Sequence, residues 1–410
     1  MVLSKLFYLV SLMTAKNIYF APNGIALGHA GRCLPIAKKI LSMGGRVVFS
    51  TYGDAVGFVK EAGFKVLNVP RLKFEETADG SVAMLETSLK WPLHILTFFK
   101  QMEAEIINLK KFKADVIVSD SRLSPLFAGK LLNIPRILLL HQIRMLIPHR
   151  KTLTRVQNKL KRFGEDIIMY DTRIFWSSSN IILAPDFPFP YTIAKDNLNV
   201  PKKMLRNVEF IGQVISKRPE ELPDKEEIRE KLGLDDRPLI YAGVAGTALE
   251  KKILNRILTD ILIKLPKDYQ VILTRGLPSK PDVPVYEKDN IKIFNWVSDR
   301  YTLLKASDLV ISRAGHNTIA ECFYYGKPSI LIPTPAHTEH QGNAKSVERM
   351  GVSKVLQQGE VNFKTLLGTI EEALNDSKMM SRVERVRRAV SKFNAVNSVV
   401  NKIDYFTRNR

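Results

Sequence analysis

The chain has 410 residues, which is enough for two domains of ordinary size and too many for a single hydrophobic core. Hydrophobic residues make up 45% and charged residues 25%, as in ordinary globular proteins, while the formal net charge of +21 favours partners that carry phosphate. The sequence shows no nucleic-acid-binding module and no run of about 18 apolar residues, so we predict neither a nucleic-acid partner nor a transmembrane helix.

The first 15 residues include a short apolar stretch, residues 6–13, that is similar to the core of a signal peptide. A strand-like segment follows almost at once and leaves no room for a mature N-terminus. We therefore predict a cytoplasmic protein, in which this stretch is at most a weak membrane anchor.

Short β-branched runs alternate with longer helical stretches along both halves of the chain. Such runs are typical of parallel strands that are covered on both faces, and the resulting βαβ units predict doubly wound sheets. The predicted strands are residues 17–21, 46–50, 65–69, 115–119, 136–140, 181–184 and 208–211, then 238–242, 270–273, 291–294, 309–311, 329–332 and 353–356.

A charged segment that contains prolines, residues 217–224, lies between the two series and is typical of a linker. The sequence therefore predicts an α/β protein with two Rossmann-like domains, residues 1–213 and 214–390. Residues 391–410 are predicted as a C-terminal helix that packs back on the first domain. Ligands of open α/β sheets bind at the carboxyl ends of strands, so the site is expected in the cleft between the domains.

The loop after the first predicted strand carries three glycines around a histidine. Gly24, Gly28 and Gly31 allow a tight turn and a close approach of the backbone to a ligand, although their spacing differs from the dinucleotide-binding fingerprint. The positive end of the helix dipole is expected to keep the imidazole of His29 neutral, which suits a general base. A helix cap is the alternative role for His29.

Asp120 follows the fourth predicted strand and is expected on the same rim of the sheet as His29. A carboxylate at the far nitrogen of the imidazole would fix its tautomer and stabilise the imidazolium that forms during proton transfer. The alternative is that Asp120 only caps the next helix.

The most specific segment spans residues 312–344. Residues 312–321 follow a strand and open a helix, so the free amides of residues 314–317 are expected to bind a diphosphate, and Glu321 is expected to accept hydrogen bonds from ribose hydroxyls. Glu339 and Gln341 lie after the next strand, where they are expected to bind sugar hydroxyls. The candidate binding residues of this segment are Arg313, Gly315, His316, Asn317, Thr318, Glu321, Glu339 and Gln341.

Two further strand ends carry candidate binding residues. Gly246 and Thr247 lie in the first strand–helix turn of the second half, where small residues let the backbone approach a diphosphate and the hydroxyl can donate to it. Trp296 ends another strand, and either contacts a nucleotide base or belongs to the core.

Residues 312–321, followed by 337–344, resemble the donor-site signature of the B-type glycosyltransferases. The pattern is most similar to the peptidoglycan N-acetylglucosaminyltransferases that form lipid II and to the UDP-glucuronosyl and UDP-glucosyl transferases. In the latter, His-x-Gly-x-Asn-Ser-x-x-Glu holds the diphosphate and ribose. The matching positions here are Gly315, Asn317, Thr318 and Glu321, with Arg313 where the histidine would be.

The resemblance extends to the hexose site and to the catalytic residues. Glu339 and Gln341 match the acidic residue and glutamine that bind the hexose, with His340 inserted between them, and Trp296 lies where these families contact uracil. His29 matches the catalytic base, and Asp120 matches the aspartate that orients it. The resemblance implies an acceptor-binding N-terminal domain and a C-terminal domain that binds the nucleotide sugar.

The sequence has no Asp-x-Asp motif and no His/Cys cluster with metal-ligand spacing. We therefore predict no metal and no cofactor. The helix dipole, the backbone amides and Arg313 are expected to stabilise the leaving diphosphate instead.

Two segments of the first half combine basic and apolar residues. They are residues 89–100 and a cluster of Arg144, His149, Arg150, Lys151, Arg155, Lys159, Lys161 and Arg162. Such surfaces suit peripheral attachment to anionic lipid, and a core helix with a solvated basic face is the alternative. The resemblance to enzymes with a polyprenyl-diphosphate acceptor favours attachment.

We thus predict an inverting, metal-independent hexosyltransferase, peripheral on the inner face of the cell membrane. Its predicted partners are a UDP-sugar, most simply UDP-N-acetylglucosamine, and a polyprenyl-linked or other lipid acceptor. Two alternatives stay open at this point: an isomerase similar to UDP-N-acetylglucosamine 2-epimerase, and a basic non-enzymatic protein that binds nucleic acid or a donor.

Overall fold

The computed structural model describes residues 16–25, 27–71, 91–147, 154–200, 207–277 and 279–408. The chain forms two seven-stranded sheets, one in each half. The signal-like residues 1–15, part of the 89–100 segment and the basic residues His149, Arg150 and Lys151 lie outside the described residues.

The first sheet has the strand order β3-β2-β1-β4-β5-β6-β7, and all of its strand pairs are parallel. Its strands are β1 Asn17–Pro22, β2 Arg46–Thr51, β3 Val66–Asn68, β4 Val116–Asp120, β5 Arg136–Leu139, β6 Ile181–Ala184 and β7 Val208–Phe210. The helices of this half are α1 Gly28–Ser42, α2 Asp54–Glu61, α3 Trp91–Phe112, α4 Ser124–Leu131, α5 Arg155–Trp176 and α6 Lys195–Leu198.

The second sheet has the order β10-β11-β9-β8-β12-β13-β14. Its strands are β8 Leu239–Gly243, β9 Gln270–Thr274, β10 Pro284–Lys288, β11 Ile291–Phe294, β12 Leu309–Ser312, β13 Ser329–Leu331 and β14 Ser353–Val355. The helices that follow the first domain are α7 Lys225–Lys231, α8 Ala248–Leu262, α9 Arg300–Ala306, α10 His316–Tyr325, α11 Thr338–Met350, α12 Phe363–Asn375, α13 Ser377–Val390 and α14 Ala395–Arg408.

The predicted fold class, two Rossmann-like doubly wound domains, is confirmed, and each end of a predicted strand lies within one residue of the observed end. One strand is missing from the prediction. β10 pairs with β11 antiparallel at the edge of the second sheet, and four of its five residues are exposed. Its proline and charged residues lack the apolar run of a buried strand, so the pattern that identifies the other strands is absent from it.

The two faces of the first sheet pack against different helices. Ile18 and Phe20 lie in a buried cluster with residues of α1, while Tyr19 and Ala21 face a second cluster that contains Leu109 of α3. This alternation follows from the two-residue period of a strand. The last helix, α14, places Val399 and Ile403 in the α1 cluster, so the C-terminus packs on the first domain.

The two domains touch through the segment that follows β6. Phe187 lies in the core of the second domain, with its ring 5.4 Å from that of Tyr324 on α10. On α11, the Ser346 hydroxyl donates to the carbonyl of Thr192 at 2.9 Å. These contacts bring the carboxyl ends of the two sheets towards each other. In the described part of the chain, each helix is too short or too polar to span a bilayer.

Candidate active site

His29 and Asp120 meet at the carboxyl end of the first sheet. The two side chains lie 2.7 Å apart, Nδ1 to Oδ1, and Asp120 is fully buried while a quarter of the His29 side chain is exposed. The capping alternatives are wrong for both residues. The caps of α1 and α4 are Leu27 and Leu123, and neither helix has a side-chain cap.

Arg32, one turn after His29 on α1, is a third member of this group. Its Nε donates to Asp120 Oδ2, and its Nη2 donates to Oδ1 at 2.5 Å. Burial alone would raise the pKa of Asp120, but the positive charge of Arg32 and the contact with His29 outweigh it and hold that pKa well below its usual range. Asp120 is therefore ionised at neutral pH.

Of the three predicted loop glycines, only Gly24 lies in a loop. A Cβ on Gly24 would lie 1.9 Å from the Tyr52 carbonyl oxygen, so the close approach of two backbones requires glycine there. The prediction that Gly28 and Gly31 belong to the loop is wrong, because α1 begins at Gly28. A Cβ on Gly31 would meet nothing within 4 Å, so no contact requires a glycine in this turn.

His141, just after β5, connects this group to the second domain. Arg32 Nη1 lies 3.3 Å from His141 Nδ1, and His141 Nε2 lies 3.4 Å from Glu339 Oε1 on α11. Gln142 also donates to Glu339, at 2.5 Å. Burial lowers the pKa of His141 to about 4, and the neighbouring His316 acts in the same direction. No sequence pattern singles out Arg32, His141 or Gln142, although His141 lies just after the end of a strand, where site residues are expected.

The amide-rich entrance of α10, meaning the free backbone amides of residues 315–317, faces α1 across the cleft. Gly315 is the N-cap residue of α10, and a Cβ on it would meet nothing within 4 Å. A Cβ added to Gly28 would lie 3.6 Å from Asn317 Nδ2, so the starts of α1 and α10 lie close together. The first amides of a helix have no partner within it and attract anions. The entrance is therefore a candidate diphosphate site close to the start of α1, which carries His29.

The other residues of the first turn of α10 hold it in place. His316 is buried, stacks on His141 at 4.5 Å between ring centroids, and lies 3.1 Å from Asp186. Gln213 donates to Asn317 Oδ1 at 2.7 Å, and Thr318 is partly buried. The His316 side chain is thus used at the domain interface, which leaves the backbone amides for a ligand.

The turn between β8 and α8 is the second candidate for a diphosphate site. Thr247 caps α8, and its amide donates to Glu250 Oε2 at 2.8 Å. Gly246 has a φ of 126°, which L-residues rarely adopt, and a Cβ there would lie 2.6 Å from Glu250 Oε2. Only glycine fits this turn without displacing Glu250.

Arg313 differs from its prediction. The residue is 2% exposed, and its guanidinium donates to the carbonyl oxygens of Ile332, at 3.0 Å, and Glu250, at 3.5 Å. Burial lowers its pKa to about 10, so it is still charged at neutral pH. These hydrogen bonds hold the side chain in the interior, against the backbone at the end of β13 and in α8. The prediction that Arg313 contacts the phosphates directly is therefore wrong.

Glu321 is buried, whereas Trp296 is partly exposed. Glu321 Oε1 accepts hydrogen bonds from Arg300 at 2.5 Å and from the Tyr301 hydroxyl at 3.3 Å, and burial raises its pKa. Trp296 is 38% exposed, so the alternative of a core tryptophan is wrong. The ion pair between Arg300 and Glu321 was not predicted, because no sequence motif marks an arginine at the start of a short helix as a binding residue.

The two predicted hexose-binding residues separate in the structure. Glu339 reaches across to His141 and Gln142, whereas Gln341 donates to the Thr334 carbonyl and to Gln357 at 3.2 Å. The structure therefore does not bring Glu339 and Gln341 together, because residues two positions apart on a helix point to different sides. Nδ1 of His340, which lies between them, is 3.0 Å from the Thr334 hydroxyl and 3.9 Å from Glu250 Oε1 on α8.

One group among the described residues could hold a metal ion. The candidate ligand atoms of Glu250, His337 and His340 lie within 4.8 Å of one another. Each group already has a partner, because Glu250 Oε1 accepts from Thr334, His340 Nδ1 lies 3.0 Å from the same hydroxyl, and His337 caps α11. The two imidazoles are also stacked at 4.0 Å. The absence of a metal from the reaction stays a prediction.

Comparison with known proteins gives a consistent result along the chain. Residues 244–398 match the model of the glycosyltransferase family 28 C-terminal domain. The chain is 29% identical over 384 residues to an uncharacterized glycosyltransferase of Methanosarcina mazei, covering 92% of this chain and 94% of that protein. It is 30% identical over 200 residues to the UDP-N-acetylglucosamine–N-acetylmuramyl-(pentapeptide) pyrophosphoryl-undecaprenol N-acetylglucosamine transferase of Aquifex aeolicus, covering 48% of this chain and 55% of that enzyme.

Solved structures show the same architecture. MurG of Acinetobacter baumannii superposes with a TM-score of 0.61 at 17% identity, covering 95% of this chain and 99% of that one. CalG4, the calicheamicin glycosyltransferase, superposes with a TM-score of 0.65 at 16% identity, covering 96% and 99%. At such identities the likeness shows the fold, and it extends over both domains.

Proposed function

We propose that this chain, which is a glycosyltransferase of the B-type superfamily, transfers a hexose from a UDP-sugar to a lipid-linked acceptor with inversion and without a metal ion. The observation that carries the proposal is the short distance between the starts of α1 and α10. It puts the His29–Asp120 pair beside the amide-rich entrance at Gly315, so a proton acceptor and a diphosphate site share one cleft.

The chemistry that suits this arrangement is a single in-line displacement. His29 Nε2 takes the proton of the acceptor hydroxyl while Asp120 accepts a hydrogen bond from Nδ1. The freed oxygen attacks the anomeric carbon from the face opposite the diphosphate. The new C–O bond forms as the bond from that carbon to the diphosphate oxygen breaks, and UDP leaves with the electron pair. The amides at Gly315 and the β8 turn stabilise its charge.

We propose the remaining donor contacts from the positions of three described residues. Glu321, beside Arg300 and Tyr301, accepts hydrogen bonds from the ribose, and the exposed Trp296 packs on the uracil. Glu339 binds the hexose from the α11 side, close to His141. N-acetylglucosamine is the favoured sugar because the Aquifex aeolicus relative is named for its transfer, and the same name, with its pyrophosphoryl-undecaprenol, favours a polyprenyl-linked acceptor.

Neither alternative from the sequence analysis is favoured. The relatives are named glycosyltransferases, so an epimerase or a non-enzymatic protein has no observation in its support. Thermal unfolding with UDP-, dTDP- and GDP-sugars tests the donor proposal, because a ligand that binds only the folded protein raises Tm. We expect the largest rise with UDP-N-acetylglucosamine. An equal response to all three, or none to UDP-sugars, would contradict it.

We propose that α5 attaches the enzyme to an anionic membrane. One side of this helix exposes apolar residues at intervals of three and four, each about half to two thirds accessible: Val156, Leu160, Phe163, Ile167 and Tyr170. Arg155, Lys159 and Arg162 are exposed beside them, while Glu165 and Met169 on the other side are buried. An apolar stripe flanked by cations is the pattern of helices that lie in the headgroup region.

Vesicle flotation measures this attachment. Exchanging Leu160 and Phe163 for glutamate removes two apolar side chains whose burial contributes about 1.5–3 kcal/mol each, so binding to phosphatidylglycerol vesicles should fall by roughly tenfold or more. Leu131→Glu on α4 is the matched control, because Leu131 is 66% exposed, close to the 65% of Leu160. The attachment proposal fails if the wild-type protein floats with neither phosphatidylglycerol nor phosphatidylcholine vesicles, or if the control loses as much binding.

A further inference from the structure

Arg32 contacts both members of the His29–Asp120 pair from within the protein. It is 3% exposed, binds both carboxylate oxygens of Asp120, and places Nη2 3.0 Å from His29 Nδ1. We propose that Arg32 is a positioning residue that takes up the charge of Asp120 and so keeps His29 a neutral base. This proposal rests on the proposed role of His29 in proton transfer.

The reason is the charge that a buried carboxylate imposes on its neighbours. An unpaired Asp120, 2.7 Å from the imidazole, would favour the imidazolium strongly because little solvent screens the pair. An imidazolium has no lone pair at Nε2 and cannot accept the acceptor's proton. The bidentate guanidinium cancels the charge of Asp120, and its own positive charge beside Nδ1 opposes protonation of the ring.

The spacing of the sequence produces this geometry. His29 and Arg32 are three residues apart on α1, so both side chains lie on one face of the helix, towards the end of β4. The fork of the guanidinium matches the two oxygens of Asp120, which fixes the carboxylate so that Oδ1 is presented to His29. A lysine would supply the charge without this orientation.

The other ionisable groups around the pair do not replace Arg32. The Cys33 thiol, 3.9 Å from Asp120 Oδ2, is neutral because burial raises its pKa. His141, on the far side of Arg32, is neutral because burial lowers its pKa, and it contacts Glu339 on α11 and His316 on α10. Within the described ranges, Arg32 is the one arginine or lysine that pairs with Asp120.

The direct test follows the ring of His29 by nitrogen NMR on protein labelled with ¹⁵N-histidine. The chain has 7 histidines, and the His29 signals are those lost in His29→Ala. At pH 7 we expect a neutral ring in the wild type and an imidazolium in Arg32→Met. The double variant Arg32→Met/Asp120→Asn, which has no buried charge left, should return to a neutral ring. An unchanged, neutral ring in Arg32→Met would overturn the proposal.

The kinetic test separates charge from structure. With UDP-N-acetylglucosamine and a short polyprenyl-diphosphate-linked sugar, the acid limb of the pH profile of kcat should move to higher pH in Arg32→Met. Once that limb lies above pH 7, kcat at pH 7 should fall by up to about tenfold for each further pH unit, and it should recover at higher pH. Arg32→Lys should show a smaller movement. A role in folding alone would lower activity at every pH without moving the limb, and that result would overturn the proposal.

The two proposals fail in distinguishable ways. If His29→Ala keeps its activity, the role of His29 as base is wrong whatever Arg32 does. If His29→Ala is inactive while Arg32→Met shows a wild-type pH profile, the base survives and the role of Arg32 is wrong. Should Arg32→Met fold poorly, the double variant still supplies a test, because it removes the unpaired carboxylate that destabilises the single variant.

Discussion

Replacing His29 by alanine is expected to lower kcat by about 10²–10⁴, the usual contribution of a positioned general base. The loss should fall on kcat, because the imidazole faces the acceptor hydroxyl and not the nucleotide. Asp120 keeps its bidentate partner Arg32 in this variant, so no buried carboxylate is left unpaired and the fold should be retained. Release of UDP from UDP-N-acetylglucosamine in the presence of a polyprenyl-linked sugar measures the effect.

The control for this variant is the binding of UDP itself. The rise in Tm with UDP should match that of the wild type, because the entrance of α10 and the β8 turn are unchanged. A kcat near the wild-type value would show that another group accepts the proton. A loss of UDP binding together with kcat would show that the residue supports the cleft and does not act in proton transfer.

Replacing Gly315 by valine is expected to weaken donor binding while leaving the fold intact. Gly315 has a φ of −71° and a ψ of 136°, which a β-branched residue adopts readily, and its Cβ would meet nothing within 4 Å. The added side chain would fill the space above the α10 amides. Hydrogen bonds to a charged group contribute about 1.5–3 kcal/mol, so the affinity for UDP should fall by about 10–100-fold.

Gly368→Val is the matched control for Gly315→Val. Gly368 is an exposed residue of α12 whose Cβ would likewise meet nothing within 4 Å, so the same change is made in the same domain away from the cleft. Isothermal titration with UDP should separate the two variants, with the control equal to the wild type. Equal affinities in both variants would exclude the α10 entrance as the diphosphate site.

The sequence was sufficient for the fold because parallel strands that are buried on both faces appear as uninterrupted apolar runs. The runs at β1, β4 and β8 each place a strand end at the cleft. Asp120 is the last residue of β4, and His29 and Thr247 come after β1 and β8. The positions of the predicted strand ends were therefore enough to predict where the candidate site lies, without knowledge of any side-chain contact. The edge strand β10 lacks such a run and escaped the same reasoning.

What escaped the sequence analysis are contacts between residues that are far apart in the chain. In the sequence, Arg32 looks like any exposed cation of a helix, and only the fold shows that β4 places Asp120 next to it. The role of His141 likewise depends on Glu339 of the second domain, which lies near it only in the folded protein. For Arg313 the sequence suggested a ligand contact that the structure does not have. Its charge suggested a phosphate contact, but the strands around it offer carbonyl oxygens that hold it in the interior.

The account depends on a diphosphate bound at the entrance of α10, and a crystal structure with UDP-N-acetylglucosamine tests this most directly. We expect diphosphate oxygens within hydrogen-bond distance of the amides of Gly315 to Asn317, with the ribose at Glu321 and the anomeric carbon facing His29. A nucleotide bound elsewhere, with this entrance closed by protein side chains, would contradict the account.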